Sequence, residues 1–293
     1  MTTTYQLKSH LKHNHVRFAY VDGYHSHDFA THKHDYSELF IVIGGTGKHQ
    51  VAGHSYPLSI GDVFVINGDV EHGFNDVNDL RIINLMFDSN LPFFDSPQVR
   101  LLPGYQALFT VEPIARQNNE YPAKLTLNPE QLTRLRNLLV LIETEYNDAP
   151  IGFESMLASL MQQLVITLSR AYQGDSTESN QPTLALSRAL VYIERHYANA
   201  QLNSDEIAKA SFVSQRQMER LFRQFLQTSP NQYIRNIQQN QAALLLKEQH
   251  ELSIQSISES CGFSDSNYFS KCFKKHFGVS PRQYRKESLF QRE

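Results

Sequence analysis

Ile257-Ser-Glu-Ser-Cys-Gly-Phe-Ser-Asp-Ser-Asn-Tyr-Phe-Ser-Lys-Cys-Phe-Lys-Lys-His-Phe-Gly-Val-Ser-Pro-Arg-Gln-Tyr-Arg285 reads as two short helices around a tight turn. Ile254, Ile257 and Cys261 recur at helical spacing on the first. Gly262 closes it, since a residue without Cβ enters the left-handed backbone at little cost. Ser264-Asp265-Ser266-Asn267 supplies capping side chains for the second, whose Phe269, Cys272, Phe273 and Phe277 share a face. The opposite face is left to Ser266, Asn267, Ser270, Lys271, Lys274 and Lys275.

The same plan stands upstream. Leu202, Ile207 and Ala208 mark a short helix that begins behind Ser204-Asp205-Glu206, Phe212-Val213-Ser214 breaks it, and Gln215 to Phe225 resumes with Met218, Leu221, Phe222 and Phe225 inward. Gln215, Arg216, Glu219, Arg220 and Arg223 stay outside. Each unit closes alike, in Thr228-Ser229-Pro230-Asn231-Gln232-Tyr233 and Val279-Ser280-Pro281-Arg282-Gln283-Tyr284, which makes an internal repeat of about fifty residues. Pro230 to Lys247 is a long helical spacer between them.

The gapless run Ile257 to Arg285 closely resembles the signature of AraC/XylS-type transcription regulators. The resemblance implies tandem helix-turn-helix modules whose second helices enter successive major grooves. By it, Gln215, Arg216, Glu219 and Arg220, then Ser266, Asn267, Ser270 and Lys271, occupy base-reading positions. Arg216 is the strongest of these, because arginine grips guanine with two hydrogen bonds. Arg223, Lys274, Arg282 and Arg285 read as phosphate contacts, and Gln217 and Lys275 as solvated.

Charge distribution agrees with that division. Residues 182 to 293 hold 15 Lys and Arg against 10 Asp and Glu, whereas residues 1 to 181 hold 12 against 20. A basic part behind an acidic one fits a DNA-binding module joined to a sensor, although chance asymmetry accounts for it equally well. No apolar run is long enough to cross a bilayer, and Met1-Thr2-Thr3-Thr4-Tyr5-Gln6 lacks a basic-then-apolar signal, so a cytoplasmic protein is expected. Cys261 and Cys272 fall on apolar faces and read as buried thiols.

Residues 1 to 15 show no period and read as a loose arm. From Val16 the pattern is β: Val16 to Val21, Glu38 to Ile43, Gly47 to Ala52, Asp62 to Ile66 and Leu80 to Phe87, with Gly44-Gly45-Thr46-Gly47, Pro57, Gly61 and Asn67-Gly68-Asp69 as punctuation. Strands so spaced indicate an antiparallel barrel or jelly roll. His32-Lys-His34-Asp-Tyr-Ser-Glu38 resembles the first cupin motif, and Gly61 to His72 the second, departing from it at Asn67 and Asp69 where proline and glycine are usual.

That likeness implies that His32, His34, Glu38 and His72 converge inside the barrel. Residues i and i+2 of a strand do face one way. Three imidazoles and a carboxylate suit Zn, Ni, Fe or Mn, so a divalent metal is one reading; polar lining that meets an effector without metal is the other. His49 and His54 read as surface or turn residues.

Between Asp88 and Asn128 the pattern weakens to apolar patches, Leu91 to Phe94, Leu101 to Tyr105 and Leu108 to Pro113, in loop or short-strand context. Leu101 to Pro113 also resembles a segment of sugar-responsive regulators of the rhamnose type. Asn128-Pro129-Glu130 opens a helix with Leu132, Leu135, Leu138, Leu139, Ile142 and Tyr146 on one stripe. Met156, Leu157, Leu160, Met161, Leu164, Val165 and Leu168 mark another, ending near Tyr172. Such a pair can cover the barrel or join a second subunit, and in the family it dimerises. Gln173 to Thr183 reads as linker.

The expected domains are a cupin-like effector barrel over 1–127, a helical dimerisation segment over 128–172, a linker over 173–183 and an all-α DNA-binding domain over 184–290. The expected function is a nonenzymatic regulator, activating as family members more often do, which binds promoter DNA as a homodimer, meets RNA polymerase and answers to a sugar or sugar acid. A cupin metalloenzyme tethered to DNA and a regulator switched by a protein partner are the alternatives.

Overall fold

The computed structural model describes residues 2–88, 93–118, 121, 123–174 and 180–290. The chain divides into two compact units, Met1–Ser187 and Arg188–Glu293.

The first unit is built on an eight-stranded sheet: β1 (Thr3–Tyr5), β2 (Phe18–His25), β3 (Phe29–His34), β4 (Ser37–Val51), β5 (His54–Leu58), β6 (Asp62–Ile66), β7 (His72–Phe87) and β8 (Leu125–Thr126). β4 and β7, 15 and 16 residues long, pair with each other and carry the remaining strands on their flanks. Both faces of the sheet are buried, which is why its strands are nearly continuous in apolar residues. Phe40, Val42, Phe64, Ile66 and Ile82 fill one core, while Leu39, Ile41, Val63, Val65, Ile83 and Leu85 alternate with them toward the other. On that second side lie α4 (Pro129–Asp148) and α5 (Phe153–Gly174), whose leucine stripes complete the core. Asn128 caps α4 with a reciprocal bond to Gln131.

The structure corrects the sequence reading in several places. The arm holds β1, paired parallel to β3 with Thr3 opposite His32 and Tyr5 opposite His34. Gly44 to Gly47 is no turn: β4 runs through it, shifting register against β7. Gly45 sits at φ 69°, and a Cβ there would lie 2.1 Å from the Asp79 carbonyl oxygen. Turn residues inside a long strand mark bulges as well as ends, and the neighbouring strand decides which.

Beyond β7 the expected loop is helical: α1 (Pro97–Arg100), α2 (Pro103–Tyr105), a π-helical turn (Gln106–Val111) and α3 (Glu112–Asn118). These pieces are too short, and buried on too many sides, to show one apolar stripe; prolines at the first positions of α1 and α2 are the local signal. Leu91 and Pro92 of the apolar patch lie outside the described residues, as do 175–179 of the linker. Gln181–Thr183, read as linker, belong to α6 (Gln181–His196), and the division between the units falls within that helix.

The second unit continues with α7 (Ser204–Ala210), α8 (Gln215–Leu226), α9 (Pro230–Glu248), α10 (Ile254–Ser260), α11 (Ser266–Phe277) and α12 (Pro281–Phe290). Asn203, Ser214, Ser229, Ser253 and Asp265 cap the helices that follow them. Cys261 is buried and Cys272 only half-buried.

Candidate effector site and nucleic-acid interface

Strand alternation aims His32 and His34 from β3, Glu38 and His49 from β4 and His72 from β7 at the interior, and all five are buried. His49, expected at the surface, is fully enclosed, because the shifts of register in β4 alter which residues face inward after the glycines. Three of these rings form a chain. His34 Nδ1 donates to the Tyr36 carbonyl at 2.6 Å, which leaves its Nε2 as an acceptor. His72 Nε2 stands 3.0 Å from that atom and must donate; its Nδ1 then accepts from His49 Nε2 at 3.3 Å. His49 Nδ1 is left buried without a partner.

Burial decides the charges. It holds His34 down to about 4 and His49 and His72 well below the ordinary histidine value, so the rings are neutral. The Glu38 carboxyl is pushed up to about 7, chiefly by burial and against hydrogen bonds from Asn84 and Tyr36.

A divalent ion would find three donors here. His34, Glu38 and His72 present ligand atoms within 4.8 Å of one another, with the Glu38 carboxylate 3.7 and 3.8 Å from the two imidazole nitrogens. Tetrahedral zinc with ligands at about 2.1 Å would hold them about 3.4 Å apart, so the residues fit with small adjustments. Such an ion would need lone pairs on both Nε2 atoms, sending the His72 proton to Nδ1 and from there toward His49. His34 is already oriented for it by the Tyr36 carbonyl. His32, the fourth expected ligand, stays outside that group; its Nδ1 bonds the Ala30 carbonyl at 3.1 Å.

Next to the rings lies a cavity of about 240 Å³ lined by His32, Glu38, His72, Tyr36 and Asn84 on its polar side and by Tyr5, Phe29, Phe74, Ile82 and Met86 among its apolar residues. Asn84 was not singled out from sequence, yet a signal was present: in the alternation Ile82, Asn84, Met86 it is the one polar member. Its Oδ1 is buried without a hydrogen-bond partner. Tyr5 and His10 bring the N-terminal arm to the cavity wall. In the turn before β7, Asp69 takes the positive φ, 66°, that glycine supplies in the resembled motif.

In the second unit the expected reading residues lie on the outward faces of α8 and α11. Gln215, Arg216, Arg220, Arg223, Asn267, Lys271 and Lys274 are exposed, and Glu219, Ser266 and Ser270 half-buried. Gln215 donates to Glu219 at 3.3 Å and Ser270 to the Ser266 carbonyl at 2.9 Å, so those pairs are partly spent on each other. α9, 19 residues long, spans about 28 Å between the two modules. Arg282 is exposed and Arg285 half-buried.

Comparison with known proteins fits both halves. Residues 14–93 match an AraC-like ligand binding domain and residues 207–287 a helix-turn-helix domain. The chain belongs to the AraC family of transcription regulators. It is 29% identical over 258 residues to the HTH-type transcriptional activator RhaS of Escherichia coli O1:K1, covering 88% of each chain. Among solved structures, an AraC-type regulator from Chromobacterium violaceum is 36% identical, with 38% of this chain and 96% of that one covered and a TM-score of 0.34. The C-terminal domain of AraT, a response regulator from Geobacillus stearothermophilus, is 36% identical over 35% of this chain and 84% of its own, with a TM-score of 0.34. The AraC family is nonenzymatic, and the tethered-enzyme alternative falls with it. Among the described residues no helix is long and apolar enough to cross a membrane.

Proposed function

We propose that this AraC-type regulator is an activator whose effector is a neutral sugar held in the 240 Å³ cavity of the first unit. The observation that carries the reading is Asn84 Oδ1, a buried acceptor on the cavity wall that has no donor among the described residues. Leaving it so costs about 1–3 kcal/mol, which a ligand hydroxyl would recover. Glu38 and the neutral histidines offer further polar atoms, and Tyr5, Phe29 and Phe74 present rings to the carbon face of a sugar. Among the described residues no Lys or Arg lines the cavity, so a sugar acid would bring its charge to Glu38 with no cation to meet it.

A second reading rests on the three convergent ligand atoms of His34, Glu38 and His72, which suit a divalent ion beside or beneath the effector. Either way His32, His34, Glu38 and His72 are the effector-side residues. The reading residues of α8 and α11 select the promoter, and the exposed Val140, Leu141 and Met156 on α4 and α5 support pairing of two copies there. A bound dimer would then recruit RNA polymerase.

The test is a melting-temperature screen of the full chain against neutral sugars, sugar acids and divalent ions, followed by promoter binding with each hit. A neutral sugar that stabilises the wild type and loses its effect in Asn84→Ala is expected. Stabilisation by sugar acids alone would overturn the effector class, and no response to any small molecule would leave control to a protein partner.

A further inference from the structure

A groove between α9 and α11 belongs to neither the effector site nor the expected reading positions. It has a volume of about 470 Å³, and its wall carries Arg235, Lys275 and His276 with no Asp or Glu. Among the described residues neither Arg235 nor Lys275 is paired with a carboxylate, and His276 makes no ion pair. Arg235 is held in place: its guanidinium lies 4.9 Å from the Phe263 ring centroid and 5.1 Å from that of Tyr268, and one end donates to Gln238 at 3.3 Å. A fixed guanidinium loses little entropy when it meets an oxyanion.

Two further features point the same way. Ser229, the N-cap of the 19-residue α9, and Asn231 and Gln232 from its first turn also line the groove, so the positive end of that helix opens into it. At the groove, Gln239 is 1% exposed, and neither its Nε2 nor its Oε1 has a hydrogen-bond partner among the described residues. Two cations, a histidine, a helix N-terminus and an unspent amide donor converge here, with no Asp or Glu among the lining residues described. Lys275 also stands one helical turn beyond Lys271, which places this edge of the groove beside the outward face of α11.

We propose that the groove seats a phosphate group, with Arg235 as its fixed donor and Lys275 and His276 closing over it. The phosphate comes either from the backbone of the bound duplex or from a free phosphate-bearing small molecule. The proposal gives Lys275, read from sequence as merely solvated, a role, and it is independent of what the first unit binds.

The full chain, as wild type, Arg235→Gln and the surface double variant Lys275→Gln/His276→Gln, is titrated with promoter and random duplexes between 50 and 200 mM salt. Its melting is then followed with and without inorganic phosphate. If the source is the duplex, the double variant lowers the slope of log K against log salt by about 0.9 and weakens both duplexes by the same factor. If the source is a free anion, the slope is kept, while phosphate raises the melting temperature of the wild type and of neither variant. Wild-type salt slopes together with equal phosphate effects on all three proteins would overturn the site. The double variant alters exposed side chains only, so it reports even if Arg235→Gln, which packs on two rings, folds poorly.

Discussion

His34 Nε2 and His72 Nε2 lie 3.0 Å apart in a compartment closed to solvent, a spacing that serves equally a shared proton or a shared metal ion. In either case the two rings act as one unit, and loss of one leaves the other buried and unmatched.

Zinc or nickel added to chelator-treated protein is therefore expected to stabilise the wild type, and not His34→Gln, by about 2.7 kcal/mol at a hundredfold excess over Kd, read as a higher melting temperature. Thermal unfolding with graded metal checks this. An equal response from the variant would remove these residues from metal binding.

Glu38 sets a pH dependence. Its folded value, about 7, lies above the unfolded 4.5. The stability contributed by burying the neutral acid is whole below the unfolded value and is lost as pH rises toward 7, on the order of 3 kcal/mol. His34 works in the opposite sense, with stability whole above 6.5 and lost as pH falls toward 4. Glu38→Gln removes only the first limb, so metal-free variant and wild type should diverge in urea midpoint between pH 5 and 8 with the variant gaining.

Arg116 and Glu112 form a fully buried pair at 2.6 Å, with Arg116 stacked 4.7 Å from the Phe64 centroid and Tyr172 donating to Glu112 at 2.5 Å. Glu112→Ala leaves an uncompensated guanidinium inside and should cost about 3–5 kcal/mol. Replacing both partners by apolar residues of similar volume should cost less. Denaturant midpoints of the two variants compare the outcomes directly.

Phe212 and Gly262 hold matching turns of the repeat at φ 58° and 82°. A Cβ on Gly262 would lie 2.6 Å from the Tyr197 carbonyl oxygen, so Gly262→Ala should destabilise by about 2 kcal/mol or more. Phe212 is 82% exposed and pays the same backbone strain without such crowding. Phe212→Gly is expected to be neutral or to stabilise by up to about 1 kcal/mol, offset in part by the lost contact with Arg188.

At the DNA, Arg216→Ala should relax preference at one base pair by about 1–3 kcal/mol, whereas Lys274→Ala should weaken every duplex alike and lower the salt slope by about 0.9. Competition binding with single-base variants of the promoter separates the two, and equal effects would erase the division between reading and positioning residues.

Much of this was legible because it is local. Each helix of the second unit announces itself by an apolar stripe at three- and four-residue steps and by a capping Ser, Asn or Asp, and the repeat states the plan twice. The cupin likeness implied that His32, His34, Glu38 and His72 share an interior, and strand parity put His32 and His34 on the same face. His49 gave no such sign, because the register shifts at Gly44 and Gly45 depend on what β7 presents across the sheet. The helices between residues 97 and 118 were hidden for a related reason: a short element buried on several sides has no polar face to define its period.

By itself the sequence determined the two-part division and the tandem helix-turn-helix modules, since these follow from periodicity and capping along one strand or helix, while the polar residues of the sensor interior came from a resemblance in motif. Only the tertiary structure decided that His32, although its ring lies against His72, adds no ligand atom to the group of the other three, that His49 hydrogen-bonds to His72, that Asn84 has an acceptor to spare, and that Arg235 and Lys275 share a groove. Those facts depend on distances between residues far apart in the chain, and no local pattern encodes such a distance; it exists only once the strands and helices have packed.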